Sequence, residues 1–260
     1  MNDLLTPPRV GRRALKVWQR DKDAWLKFYK ASLVGNLAEP LLFLLAFGLG
    51  LSRYVGKVDG IPYVNYIAPG IVVATAMNAA SFECTFGSFT RMETQKSYDA
   101  IIVTPVNIEE VAAGDILWGA TKGFISAMIM LPVLVAFGLM TSPWLVLSPV
   151  LFFVEGFMFA SMALIVTAFA PSYDYYAYYF SLFLSPMFFF SGIFFPISAM
   201  PHWVATMSWY FPLTHVVNVA RALSAGTVSA SIITDSVWML VFSAATSWVA
   251  IKTIKNRLVK

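Results

Sequence analysis

Residues 146–170 read VLSPVLFFVEGFMFASMALIVTAFA, a run that holds a single ionisable side chain, Glu155. A helix needs about 20 mostly apolar residues to cross a hydrocarbon core about 30 Å thick, and this run satisfies that. Backbone in hydrocarbon must bond within a helix or a closed barrel. Barrel strands would alternate apolar and polar over about ten residues, and this run does not. It is therefore expected to be a transmembrane helix.

Working outward, five further windows pass the same test: 32–51, 64–86, 117–140, 175–195 and 232–251. The chain is 58% apolar and 12% charged, outside the balance of a water-soluble domain. The expected fold is an all-α membrane protein of six transmembrane helices. Residues 1–31 form an amphipathic N-terminal region, 32–251 the six-span domain and 252–260 a basic tail. The links after the third and fourth spans, TSPWL and PSYDY, allow only tight hairpins. The long connections are 87–116 and 196–231. No internal repeat is visible, which argues against the inverted repeats of many secondary transporters.

The distribution of Lys and Arg sets the orientation. Arg9, Arg12, Arg13, Lys16, Arg20, Lys22, Lys27 and Lys30 precede the first span, and Lys252, Lys255, Arg257 and Lys260 follow the last. Arg91 and Lys96 lie in the loop after the second span; Arg53, Lys57 and Arg221 fall on the other side. The positive-inside rule therefore places both termini and the 87–116 loop in the cytoplasm. Basic residues placed in this way serve topology, so no nucleic-acid partner is expected. No apolar run precedes Ser32, so the first span is expected to act as its own insertion signal. Cys84 is the only cysteine, which excludes an intramolecular disulfide and a Cys-based zinc site.

Within residues 8–30, Ala14, Leu15, Trp18, Trp25, Phe28 and Tyr29 recur at a spacing of about 3.5 among Lys and Arg, the pattern of an interfacial helix lying against membrane lipids. In the 87–116 loop a short helix is expected over Glu93–Val103, stopped at Thr104-Pro105 because the residue before proline disfavours the helical region. Asn107 and Glu110 then make a capping box for a helix that enters the third span, where Gly119 and Gly123 permit close contact. Ile101, Ile102 and Val103 need cover from this chain or from a partner protein.

Three acids fall in or near spans, Glu39, Glu83 and Glu155, and each is a functional candidate because a lipid-embedded carboxylate is costly unless paired or wetted. Arg91 and Lys30 are possible partners for the first two. In the fifth window Tyr176, Tyr179, Phe180, Phe183, Met187, Phe190 and Phe194 recur near helical spacing, and an aromatic face of that kind could line a substrate path. His202 and His215 have no acid or cysteine cluster beside them, so neither a metal nor a catalytic role is expected.

The stretch YVNYIAPGIVVATAMNAASFECTFGSFTRMETQKSYDAIIVTPVNIEEVAAGDILWGATKG (63–123) closely resembles the permeases of type-2 ABC exporters, in the NodJ-like branch that includes nodulation-factor (lipo-chitooligosaccharide) export permeases. TAFAPSYDYYAYYFSLFLSPMFFFSGIFFP (167–196) and YFPLTHVVNVARAL (210–223) extend the likeness. The resemblance implies a bacterial inner-membrane machine: two copies of the permease around a central path, each bound to a NodI-like ABC ATPase. ATP and Mg would sit on that partner, with no cofactor on this chain. It implies a coupling helix at Tyr98, Asp99, Ile101, Ile102, Val103, Thr104 and Pro105, and two re-entrant helices between spans five and six. A phosphate-cradling GxxxxGK[ST] loop is absent from the sequence, in keeping with an ATPase on another polypeptide.

The implied activity is ATP-driven export of a lipid-linked or amphiphilic saccharide, with multidrug efflux as the alternative. A six-span intramembrane protease would have to use Ser191-Gly192 and His215, with no oxyanion residues beside them. An ion-coupled carrier would need more deep acids than Glu155.

Overall fold

The computed structural model describes residues 7–227 and 229–259; the side chains of Ala31, Leu33, Asn36, Leu37, Leu49 and Ile102 lie outside that description. Helix α1 spans Ala14–Trp25. A short bend leads to α2 (Tyr29–Leu45), which continues through a π-helical stretch, Ala46–Leu51, into α3 (Ser52–Val55). Strands β1 (Lys57–Val58) and β2 (Ile61–Pro62) pair antiparallel across Asp59 and Gly60. Both turn residues have positive φ, +50° and +82°, as a two-residue primed hairpin turn requires.

Next come α4 (Tyr63–Phe82), α5 (Ser97–Ile102), α6 (Ile108–Ala136) and α7 (Ser148–Phe169). The fifth expected span is built from α8 (Tyr175–Tyr179), a π-helical turn (Phe180–Leu184) and α9 (Ser185–Phe190). Then α10 (His202–Trp209) and α11 (Pro212–Ala225) precede α12 (Ala230–Leu258).

Five helical stretches among the described residues are long and apolar enough to cross a membrane: Ala38–Val55, Tyr63–Thr94, Ile108–Ala136, Pro143–Phe169 and Ala230–Leu258. The expected window 175–195 is helical only to Phe190 and is too short to join them. It stops because Gly192 takes a φ of +81°, turning the chain away. Helix α12 extends past both ends of the expected last span, 232–251, and runs on through the expected basic tail to Leu258.

The long connection 87–116 holds the two helices expected within it, with different bounds, and is helical for most of its length. Helix α4 does not stop near residue 86 but passes through two π-helical turns, Glu83–Gly87 and Thr90–Thr94. Thr85 and Thr90 donate their hydroxyls to the carbonyls of Ser81 and Phe86, each at 2.7 Å, the kind of bond that opens and bends a helix. Lys96, at a φ of +51°, ends that run, so α5 starts at Ser97 and not at Glu93.

Helix α4 is the central post: nearly every residue from Tyr66 to Ala80 is buried, against α6, α7 and α11. Small residues let the neighbours approach. A Cβ on Gly156 would lie 2.7 Å from the Ala120 carbonyl oxygen, and one on Gly123 would lie 2.9 Å from that of Ala76. The close contact expected at Gly119 and Gly123 is thus present, and it is the mode by which helices associate without a hydrophobic drive between them. The capping box at Asn107 is also present, with the Glu110 amide donating to Asn107 Oδ1 at 2.8 Å and the Asn107 amide to Glu110 Oε2 at 3.0 Å.

Helix α1 lies across α6 at one end of the bundle, with Val17 and Ala14 seated over Gly114. The ends of α7 and α12, the extension of α4 and α5 gather there too, and we term this the basic end. The hairpin, α10 and α11 occupy the opposite end.

Candidate functional site

At the basic end a chain of buried polar groups joins α1, the extension of α4, α5 and α6. Arg91 stands at its centre, 2.7 Å from Glu83, 3.3 Å from Asp115 and 3.9 Å from Asp21. Glu83 also meets Lys122 at 3.4 Å, and Asp21 meets Arg20 at 2.7 Å. Asp115 accepts from Ser88 at 2.7 Å and from the Tyr98 hydroxyl. Three carboxylates therefore face three cations, which is how charge is tolerated out of water.

Tyr98 belongs to the sequence-derived coupling segment, yet it is fully buried, and its hydroxyl points inward to Asp115. It anchors α5 and presents nothing outward. Burial first, then the Asp115 carboxylate, holds its phenol well above the usual range, so it remains a donor to that carboxylate. Asp99, Val103, Thr104 and Pro105 are exposed, Ile101 is half-buried and the Ile102 side chain lies outside the described residues. The exposed tip is strapped by the segment before α1. Arg13 donates to the Pro105 carbonyl, the Arg9 amide to Glu109 and Asn107 Nδ2 to the Arg9 carbonyl at 3.0 Å.

The basic residues near the end of α12 are bound to the same platform. Lys252 and Lys255 meet Glu109 at 3.0 and 3.3 Å. Arg257 donates to the carbonyls of Thr167 and Ala170, closing the end of α7, and pairs with Glu93 at 2.8 Å. These partners lie far apart in sequence, so charge counting registered the cations only as markers of orientation.

Asp21 is the exception to a balanced network. Burial, the largest influence, outweighs Arg91 and Arg20 and, aided by Asp115, pushes its carboxyl up to about 7. A group whose folded pKa exceeds its unfolded value of 3.8 contributes stability that is complete below 3.8 and lost as pH rises through about 7. In the Asp21→Asn variant that contribution is absent. Its thermal midpoint in detergent is expected to fall less than that of the wild type between about pH 5 and pH 8; parallel curves would show that Asp21 does not titrate there.

A cleft of about 490 Å³, termed the membrane cleft, opens between α2, α4 and α8–α9, and Glu39, Phe43, Thr75, Asn78, Phe180 and Phe188 line it. Of the proposed path residues only Phe180 lines it. Tyr176, Tyr179, Met187 and Phe194 are buried in the chain's own interior, whereas Phe183 and Phe190 are exposed. The seven do not share a face, because the π-helical turn at Phe180–Leu184 adds residues to one turn and rotates everything beyond it, and Phe194 lies past the helix end. Glu39 is exposed at this cleft, Glu83 belongs to the Arg91 cluster and Glu155 is the deep acid, fully buried with neither oxygen hydrogen-bonded among the described residues.

At the opposite end His215 lies 2.6 Å from Asp235 through Nδ1 and 2.9 Å from the Trp209 carbonyl through Nε2, with its ring stacked on Trp238. Both ring nitrogens are thus engaged and neither serves Ser191, which removes the geometry a protease would need. Arg221 donates to the Gly192 carbonyl at 2.7 Å and covers the Tyr66 ring at 4.0 Å.

The sequence profile of a family described as ABC-2 type transporter matches residues 16–224. The chain is 39% identical over 207 residues to "Nodulation protein J" of Sinorhizobium fredii (strain NBRC 101917 / NGR234), covering 80% of this chain and 79% of that protein. It is 33% identical to "Nodulation protein J" of Rhizobium leguminosarum bv. viciae over 258 residues, 98% of both. It is 22% identical to "Inner membrane transport permease YadH" of Escherichia coli (strain K12), covering 89% of this chain and 91% of that protein. No solved structure matches the chain.

Proposed function

The chain belongs to the ABC-2 type transporter family, and on that premise we propose that it is the permease subunit of an ATP-driven exporter whose ATPase is a separate, NodI-like polypeptide. Two permeases and two ATPases would form the working unit in a bacterial inner membrane, with both termini and the basic end in the cytoplasm. In this reading α8–α9 completes a set of six spans, and α10 and α11 re-enter from the outer side. The cargo is an amphiphilic saccharide of the lipo-oligosaccharide type.

One observation carries the reading: the exposed tip at Val103–Pro105 is braced from beneath by Tyr98, Asp115 and Arg91 in sequence. Tight packing there transmits displacement instead of absorbing it. A push on the tip therefore reaches α4, α6 and α1 together. The phenylalanines of the membrane cleft also suit a hydrophobic drug, which is the second reading.

Co-expression with a NodI-like ATPase is expected to yield a complex that survives purification and hydrolyses ATP faster when a lipo-chitooligosaccharide is added. The permease alone should hydrolyse none. Turnover by the isolated chain would overturn the division of labour; stimulation by hydrophobic drugs and not by the saccharide would select the second reading.

A further inference from the structure

Helix α1 fully buries Ala14, Val17 and Asp21, spaced three and four residues apart so that they share one face. An acid thus occupies a position where the helical period calls for an apolar residue. The first two pack on α6: a Cβ added to Gly114 would lie 2.5 Å from Val17 Cβ and 2.8 Å from the Ala14 carbonyl oxygen. One turn further along α1, the Asp21 side chain is hydrogen-bonded to that of Asp115, the residue next to this glycine.

Two ionised carboxylates offer only acceptors, so a hydrogen bond between them requires a proton on one. Asp115 Oδ2 is occupied by Ser88, Tyr98 and Arg91, and Asp21 Oδ1 by Arg20 and, at 3.9 Å, Arg91. The remaining oxygens, Asp115 Oδ1 and Asp21 Oδ2, are buried and receive no hydroxyl, amide or cationic donor among the described residues. Each acid is left to serve the other.

We propose that Asp21 and Asp115 share one proton, and that this proton is the clasp that holds α1, with the strap preceding it, against the base of the bundle. The groups around the pair favour one proton over none. Arg20 comes from α1 itself, Arg91 from the extension of α4 and the Tyr98 hydroxyl from α5; on α6, Lys122 is engaged by Glu83, which also takes Arg91. Arg91 is the cation common to both aspartates, and it is divided with a third acid. Arg20 keeps 34% of its side chain exposed, so solvent weakens its hold on Asp21. Without the proton, two buried carboxylates would face each other across one shared guanidinium. Burial pushes the Asp21 carboxyl up to about 7, so the clasp is closed in acid and opens as pH rises through neutrality.

The strap gives the clasp its reach. Arg13 and the Arg9 amide, just ahead of α1, hold the Pro105 carbonyl and Glu109. With the clasp open, α1 keeps its seat on Gly114 and the bond from Trp18 to Thr121 at 2.9 Å, but the strap loses one anchor and the tip at Val103–Pro105 is tied less firmly. That an ATPase pushes on this tip rests on the export reading above; the clasp does not.

The test uses the full chain in lipid nanodiscs without an ATPase, carried from about pH 5.5 to about pH 8.5. Infrared difference spectra follow the carbonyl stretch of protonated carboxyl groups. Amide hydrogen exchange, corrected for the intrinsic rate at each pH, follows α1. In the wild type a carboxyl band should vanish with a midpoint of about 7, and the protection of α1 should fall by about tenfold or more over the same range. Asp21→Asn should show neither change, because its amide donates to Asp115 at every pH. Should that variant fail to fold, Asp21→Leu takes its place and should likewise lack the titrating band. A wild type with no titrating band, or a band that titrates equally in the variant, would overturn the shared proton. A titrating band with unmoved α1 would overturn the clasp. No readout involves an ATPase or a cargo, so loss of the export reading leaves these results standing, and their failure leaves the export reading untouched.

Discussion

Arg91→Met is expected to be the most damaging single substitution in the chain, lowering the thermal midpoint of the purified protein by roughly 10 °C and sharply reducing the yield of monodisperse material. The methionine keeps most of the volume but removes the cation that Glu83, Asp115 and Asp21 share. Lys122, Arg20 and the hydroxyls of Ser88 and Tyr98 remain as partial partners, yet one carboxylate is left in excess in a buried setting. Removing one member of a buried ion pair costs about 3–5 kcal/mol, against typical domain stabilities of about 5–15 kcal/mol. Arg91→Lys keeps the charge but not the fork that reaches several acids at once, and should fall between the two. A midpoint within about 2 °C of wild type in Arg91→Met would mean that the network holds nothing together.

Val103→Asp should do the reverse, sparing the fold and disabling the machine. Val103 is 87% exposed, so an aspartate there changes no interior packing and the isolated chain should unfold as the wild type does. If the tip docks in an apolar cleft of the ATPase, the buried charge should cut co-purification and saccharide-stimulated hydrolysis by about tenfold or more. Tyr98→Phe is the informative partner: it keeps the ring and deletes the hydroxyl bonded to Asp115. It should lower stability and loosen the link between hydrolysis and transport while leaving complex formation intact. Wild-type assembly and transport in Val103→Asp would remove the tip from the contact.

The spans were legible because hydrocarbon imposes one requirement, a long apolar run with its backbone satisfied, and α4, α6, α7 and α12 each meet it. The cap at Asn107 and the close packing at Gly119 and Gly123 were legible because their signals are local. Asp59-Gly60 is an equally local hairpin signal, and the strands on either side of it do pair. What was hidden depends on distance or on winding. Lys252 and Glu109 are 143 positions apart, Arg257 and Glu93 are 164 apart, and only the assembled bundle shows that cations read as topological markers are structural partners. The aromatic residues of the fifth span do not keep to one face because a spacing rule assumes 3.6 residues per turn throughout, and Phe180–Leu184 departs from it.

Each of the helical rods beside the membrane cleft contains such a departure: Ala46–Leu51 after α2, Glu83–Gly87 after α4 and Phe180–Leu184 between α8 and α9. A wide turn stores slack of about one residue. Tightening it to ordinary winding would swivel the rod beyond it by about 100° and advance it by about 1.5 Å, with the i→i+5 bonds of that turn exchanged for i→i+4 bonds. A passage walled by such rods can change the chemistry of its lining by a change of thread pitch, with no hinge and no parting of the wall.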